Sequence, residues 1–246
     1  MISCISMLCV AGVLAGNPPE AACGSYLYEP SYCMDKLLRG KTVAYLPQPG
    51  DVMLATDKNL FWKITHDLAL AFEPHNSAIV VARSDGSLAI LEAGPNDTFR
   101  IRMLDMLPHL AEYADKGPVW IRKRKCPLTP EQSACLTDFA HRQNGKRFAL
   151  GRLGWQLTPF RDRGPFRTAV MGGPHGDRKS YFCSELVTEA GVAAGILDPA
   201  TTRPSATYPH DLFFDQSHNR YISKHLPLVH DWEPPARWVY RPAECP

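Results

Sequence analysis

The sequence signatures of several large enzyme classes are absent from this chain. It contains no G-x-S-x-G segment, the turn that carries the serine of α/β-hydrolases, and no H-E-x-x-H segment, the paired zinc ligands of many metalloproteases. No two cysteines have C-x-x-C spacing, and the glycine-rich residues 171–174 lack the Lys-Ser/Thr that completes a phosphate-binding loop. We therefore do not expect a serine hydrolase of that fold, a zincin, a thioredoxin-like protein or a P-loop nucleotidase.

A strong charge of either sign is also missing. The 27 lysines and arginines nearly balance the 25 aspartates and glutamates, which leaves a net charge of +2. Nothing in this balance calls for nucleic acid as a partner. A dense basic run stands at residues 122–125. Because four consecutive side chains cannot share one face of a strand or helix, this run is predicted to be a solvated strand end.

The N-terminal apolar run, residues 2–16, carries no charge but is shorter than a membrane span. Its length fits the apolar region of a secretory signal, and residues 21–22 resemble a cleavage site, although the basic leader is missing. Two interpretations of residues 1–23 stay open. An export signal implies the cell envelope or the exterior, with association with the membrane; a buried N-terminal segment implies the cytoplasm. Residues 24–246 are predicted to form a single domain.

The eight cysteines leave the redox state open. In an oxidising compartment, the short separations favour local disulfides between Cys23 and Cys33 and between Cys126 and Cys135. Spacing does not determine connectivity, so free thiols remain the alternative.

Hydrophobic patterning and turn residues predict an α+β fold class. Strands are expected at residues 52–55, 78–82, 88–91 and 119–122, and helices at 34–39, 57–72, 130–143 and from 183 onwards. The turn Ser84-Asp85-Gly86-Ser87 joins two of these strands into a hairpin. Residues 99–107 are predicted to be a strand that runs into a short helix, 151–179 a long loop, and the proline-rich residues 204–246 an irregular wrap over the core.

The segment around Cys183 carries the clearest chemical signal. After Cys183 the apolar residues recur at the three-and-four spacing of a one-sided helix, with Ser180 as the predicted N-cap and Glu185 in the first turn. A thiol in the first helical turn faces unpaired backbone N–H groups and the positive end of the helix dipole. Both favour the nucleophilic thiolate, so the pKa is predicted to lie below the roughly 8.5 of a free cysteine. The alternative is a small apolar residue of a core helix.

A cysteine nucleophile needs a base, and the base needs a group that orients it. Among the nine histidines, His75 stands out because it lies just before a predicted strand. Glu92 ends the partner strand of the same hairpin, where a carboxylate either orients an imidazole or caps the strand end in solvent. His66 and His175 are the reserve candidates for the base.

These residues follow an order that resembles the circularly permuted NlpC-like cysteine hydrolases, the YiiX-like branch of the papain-like superfamily. The matching segments are Gly50-Asp51, His75 before an apolar strand, Leu91-Glu92-Ala93, Gly145-Lys146-Arg147-Phe148, Tyr181-Phe182-Cys183-Ser184-Glu185 and Pro209-His210-Asp211-Leu212. The resemblance implies a papain-like core, a central antiparallel sheet packed on the nucleophile helix, with the histidine strand first in the chain. It also implies a catalytic triad of Cys183, His75 and Glu92.

The activity that the resemblance implies is that of a thiol-dependent hydrolase or acyltransferase. Its substrate would be an amide, ester or thioester in a cell-wall peptide or in a lipid or acyl compound. The enzyme would need no metal and no organic cofactor.

One position departs from the family pattern. The family places its histidine two residues before the small residue of the strand, and in this chain that position is occupied by Asn76. A bulge would bring His75 to that position; otherwise the base is lost, and the alternative is a catalytically inactive binding or structural module. A two-residue Asp-Gly turn would place Glu92 opposite Ile79.

Overall fold

A computed structural model describes residues 24–29, 41–56, 60–68, 72–94, 98–152, 175–215 and 228–241. Its strands are β1 (Ser25–Glu29), β2 (Lys41–Ala44), β3 (Val52–Ala55), β4 (Asn76–Ala82), β5 (Leu88–Ala93), β6 (Ile101–Asp105), β7 (Val119–Arg122), β8 (Arg147–Phe148), β9 (Ser180–Tyr181) and β10 (Ala236–Tyr240). Its main helices are α1 (Leu60–Leu68), α2 (Met106–Lys116), α3 (Pro130–Gln143), α4 (Cys183–Ala193) and α5 (Pro209–Phe214). The predicted helix at residues 34–39 and most of the predicted loop at 151–179 lie outside the described residues.

Eight of these strands form one antiparallel sheet in the order β2-β1-β10-β7-β3-β4-β5-β6. Together with the helices this confirms the α+β class. The short strands β8 and β9 pair in parallel beside it. Strand β10 corrects the prediction of an irregular wrap for the C-terminal region. The prolines at 234 and 235 precede the strand and do not interrupt its ladder, and Trp238 is buried on it.

The sheet carries a separate hydrophobic core on each face, because successive strand residues point to opposite sides. One core packs against α3 and α4 and includes Ile79, Val81, Leu91, Leu186 and Ala190. The other packs against α2 and includes Ala78, Val80, Ile90, Leu110 and Trp238. We call these the α4 face and the α2 face.

The predicted hairpin of β4 and β5 is confirmed, but its register differs from that of a two-residue turn. Gly86 has a φ of 83°, and the N–H of Arg83 donates to the carbonyl oxygen of Ser87 at 2.8 Å. The loop therefore contains three residues, with glycine in the left-handed conformation. This shift of one position places Glu92 opposite Ala78 instead of Ile79.

Helices α3 and α4 begin at the residues predicted from the sequence, whereas α1 spans Leu60–Leu68 within the predicted range 57–72. Thr129 caps α3, its hydroxyl accepts from the N–H of Gln132 at 3.2 Å, and the helix ends at Gln143 as predicted. Helix α4 begins at Cys183, but its N-cap is Phe182. Ser180 cannot cap the helix because it belongs to β9, where it pairs with Arg147. Helix α2 is longer than the short helix expected at residues 99–107.

The basic run at residues 122–125 is not a solvated strand end. Arg122 is 1% exposed and forms an ion pair with Asp215 at 2.7 Å, and Arg124 is 6% exposed and lies over the ring of Trp232. Alternation explains the difference: residues 122 and 124 share the inward direction, while Lys125 is exposed.

The predicted disulfide between Cys126 and Cys135 is wrong, because neither residue forms a disulfide. The other predicted pair includes Cys23 and Cys33, which lie outside the described residues, as does the apolar segment 1–23. In the part of the chain that the structure describes, no helix combines the length and apolar character needed to cross a membrane.

Candidate functional site

The thiol of Cys183 lies where the start of α4 meets the start of β4. Phe182 has an extended conformation, and the helix begins with the next residue, which places Cys183 in the first turn. The residue is 8% exposed. Its Sγ lies 3.9 Å from the carbonyl oxygen of His75, to which the thiol donates a hydrogen bond. The nucleophile position predicted from the sequence is thus a nearly closed site between a helix and a sheet.

The electrostatic surroundings of this thiol are opposite to the sequence-based prediction. Burial raises the pKa of Cys183 to about 11, because the charged thiolate loses its hydration in the closed site. Hydrogen bonds from Ser77 and from the backbone of Ser184 lower the pKa, and the negative charge of Glu92 raises it. The predicted lowering of the pKa is therefore wrong for this conformation: desolvation outweighs the hydrogen bonds of the helix start.

His75 approaches the thiol through its main chain. Its N–H donates to the carbonyl oxygen of Ala55 at 3.0 Å, which continues the pairing of β3 with β4, and its carbonyl oxygen faces Cys183. The residue is 4% exposed. Its imidazole packs against that of His66, from the last turn of α1, with ring centroids 5.1 Å apart. Two buried imidazoles therefore lie beside the site, and one belongs to the reserve candidate His66.

Glu92 is completely buried, and its carboxylate lies on the α2 face. Oε2 is 2.5 Å from Nε2 of His109, and Oε1 accepts hydrogen bonds from the hydroxyl of Tyr113 at 2.6 Å and from Nδ2 of Asn76 at 2.7 Å. The carboxylate that the sequence assigns to the imidazole of His75 thus bonds the imidazole of His109. The hairpin register causes this arrangement, since Glu92 opposite Ala78 shares a face with Asn76, two residues along β4.

Asn76 occupies the position where the resembling family has its histidine. Its Nδ2 donates to Glu92 and to the hydroxyl oxygen of Tyr113, both at 2.7 Å. Its Oδ1 accepts from the N–H of Ser77 at 2.8 Å. Asn76 therefore connects the carboxylate on the α2 face to the main chain beside the thiol.

The two remaining histidines named from the sequence are His210 and His175. His210 in α5 packs between Phe72, 6.3 Å away between ring centroids, and Phe214 at 4.5 Å. His175, the second reserve base, has its Nε2 2.8 Å from the carbonyl oxygen of Pro199 and its Nδ1 3.4 Å from Glu189 of α4. Glu189 is six residues along the helix from Cys183, which places His175 away from the thiol.

Sequence reasoning missed His109 and Tyr113, the two side chains of α2 that bind Glu92. The available signal was their spacing of four residues, which places both on one side of a helix. The prediction ended the helix near residue 107, so this face was not considered. Among the described residues, no group of three or more His, Cys, Asp or Glu side chains is arranged to hold a metal ion.

Comparisons with known proteins gave a distant structural likeness. No family model matches the chain, and no curated protein matches it. Five solved chains match, among them YiiX from Escherichia coli O157:H7, whose title describes it as a metalloprotein of the group DUF1105. That chain is 16% identical in sequence, the match covers 80% of this chain and 99% of that chain, and the TM-score is 0.45.

Proposed function

We propose that this protein is a thiol-dependent hydrolase or acyltransferase in which Cys183 attacks the carbonyl carbon of an amide, ester or thioester. The observation that carries the proposal is the position of Cys183 as the first residue of α4, against the start of β4. The imidazole of His75, whose carbonyl oxygen contacts the thiol, is buried and packs against that of His66. A thiol, a nearby base and a helix start are the parts that covalent acyl transfer requires.

The proposed reaction begins with a neutral thiol, since the pKa of Cys183 is raised to about 11 by burial. The imidazole of His75 takes the proton as the sulfur forms a bond to the carbonyl carbon. The carbonyl oxygen becomes an oxyanion, which the backbone N–H of Cys183 helps to stabilise. The intermediate collapses, the bond to the leaving group breaks, and the imidazolium returns its proton to that group. Water or an acceptor hydroxyl or amine then attacks the acyl-enzyme and releases Cys183.

For the fold we propose a circularly permuted papain-like core. The support is the packing of the cysteine helix α4 on one face of an antiparallel sheet, with β4 before α4 in the chain. His75 precedes Cys183 by 108 residues, in the order that the sequence resemblance implies.

We propose a peptide or a lipid or acyl compound as the substrate. Phe72 and Phe214, which flank His210, are 44% and 36% exposed, and they offer apolar contacts on the surface at α5. Such contacts suit an apolar acyl group more than a charged substrate. A location in the cell envelope, with contact to the membrane, remains part of this proposal.

A second candidate function is a catalytically inactive binding or structural module. Asn76 favours this candidate, because it occupies the position of the family histidine and its side-chain amide cannot accept the thiol proton. The high pKa of Cys183 and the contact of its sulfur with the main chain of His75 also favour it.

Hydrolysis of a panel of nitrophenyl esters, thioesters and peptide amides separates the two candidates. Cys183→Ala should lose at least about a thousandfold in rate, as the removal of a nucleophile does. Cys135→Ala is the matched control, because Cys135 is a free, exposed cysteine of α3 and should leave the rate unchanged. His75→Ala should lose about a hundredfold. Equal turnover by wild type and Cys183→Ala would rule out the cysteine mechanism, and no turnover on any substrate would favour the inactive module.

A further inference from the structure

Four polar side chains, three of them buried and Asn76 half-buried, form a group that takes no part in the reaction proposed above. We call Asn76, Glu92, His109 and Tyr113 the Glu92 cluster. Glu92 is 0% exposed, and His109 and Tyr113 are each 4% exposed. A buried carboxylate costs free energy unless hydrogen bonds compensate it. Here donors from α2 and β4 occupy both oxygens of Glu92, so the carboxylate has a fixed position inside the fold.

Asn76 is the member of the cluster that connects it to the main chain beside the thiol. Asn76 binds Glu92 on the α2 face, and its Oδ1 accepts from the N–H of Ser77. Ser77 is the next residue of β4 and therefore points to the α4 face. His75, the residue before Asn76, accepts a hydrogen bond from the thiol of Cys183 at its carbonyl oxygen, 3.9 Å from Sγ. Asn76 thus ties the carboxylate of Glu92 to the stretch of main chain that contacts the nucleophile.

We propose that the Glu92 cluster is a positioning element for Cys183, which holds the main chain at the start of β4 against the sulfur and controls the reactivity of the thiol. The proposal deepens the proposed function and rests on it for its biological meaning. His109, Tyr113 and Asn76 act through Glu92 and through the main chain. They are positioning residues, since they do not touch the reacting atoms.

Electrostatics give the proposal a direction that can be tested. The charge of Glu92 disfavours the thiolate of Cys183. An ionised carboxylate only accepts hydrogen bonds, so Nε2 of His109 donates to it, as does the hydroxyl of Tyr113. Both donors partly compensate the negative charge of Glu92 and so reduce its electrostatic effect on the sulfur of Cys183. The charged and titratable groups around the pair are His109 and Tyr113 from α2, the exposed Arg102 opposite Glu92 on β6, and Glu112, 3.9 Å from Nδ1 of His109.

The test is the rate at which iodoacetamide alkylates Cys183 in the full chain between pH 7 and 11, followed by mass spectrometry of the peptide that contains it. Glu92→Gln removes the opposing charge and should raise the rate at least about threefold. His109→Gln weakens the compensation of Glu92 and should lower the rate, and Tyr113→Phe, which keeps the ring, should lower it less. Glu112→Gln is the matched control: it removes a half-exposed carboxylate beside the same imidazole and should leave the rate unchanged.

The opposite signs of these effects exclude a merely structural role. If the cluster only stabilised the fold, Glu92→Gln and His109→Gln would both loosen the site and would both raise the alkylation rate along with a fall in Tm. That result, or equal rates in all variants, would overturn the proposal. Alkylation needs neither substrate nor turnover, so an inactive wild type would refute the proposed function and leave this inference standing.

Discussion

The thiol of Cys183 has a pKa that burial shifts far from its ordinary value. Burial raises its pKa from an ordinary 9.0 to about 11. At any pH below 9, the buried residue therefore carries about a hundredfold less thiolate than a cysteine with the ordinary value. Iodoacetamide reacts with the thiolate, so the alkylation rate of Cys183 in the wild type should be about a hundredfold lower than that of an unperturbed thiol and should level off near pH 11.

The same shift predicts how stability depends on pH. The unfolded chain loses this proton near pH 9, and the folded chain keeps it until about 11, so the unfolded state binds fewer protons between these values. The free energy of unfolding should therefore fall by about 2 kcal/mol as the pH rises from 9 to 11, and by about 3 kcal/mol in total once both states are fully titrated.

Urea titrations of the wild type and of Cys183→Ala measure this fall, since other titrating groups contribute equally to both proteins. Peptide-resolved alkylation provides the rates, with the exposed Cys135 of the same chain as an internal reference for reagent activity. An inflection of the Cys183 rate below pH 9, or equal pH dependence of stability in both proteins, would refute the reasoning from burial.

Three further predictions concern residues around the site. Burial raises the pKa of Asp51 to about 6, so the folded state holds this proton to a higher pH than the unfolded state does. As the pH rises from 4 to 7, the free energy of unfolding of the wild type should therefore fall by about 3 kcal/mol more than that of Asp51→Asn, as measured by urea titration. Asn76→His in a His75→Ala background should restore ester hydrolysis if position 76 provides the base; an unchanged rate would exclude that position. Asp215→Ala should destabilise the fold by about 3 kcal/mol, because it leaves the buried Arg122 without its ion-pair partner. A urea midpoint equal to that of the wild type would contradict this.

Local signals in the sequence predicted much of the fold. Thr129 and the following proline define the start of α3, and short continuous apolar runs define β3 and β7. The Asp-Gly turn predicted the hairpin, and the helical spacing after Cys183 predicted α4. Each of these features depends on residues within a few positions of one another, where hydrogen bonds and side-chain periodicity act directly.

Features that depend on distant parts of the chain could not be predicted in this way. One extra loop residue, with Gly86 in the left-handed conformation, decides which face of the sheet Glu92 joins. Its partners His109 and Tyr113 belong to a helix that begins after β6. The pKa of Cys183 depends on how completely the fold excludes water, which the position of a cysteine in a helix does not reveal.

The direct test of the account is covalent trapping of the acyl-enzyme. Wild type, Cys183→Ala, Cys135→Ala and His75→Ala are mixed with an activated acyl thioester, quenched in acid within seconds, and analysed by intact mass and peptide mapping. The account predicts one acyl group on Cys183 in the wild type and in Cys135→Ala, slower labelling in His75→Ala, and none on this peptide in Cys183→Ala. Labelling confined to Cys135, or no labelling of Cys183 at any pH up to 9, would contradict the claim that Cys183 is a nucleophile.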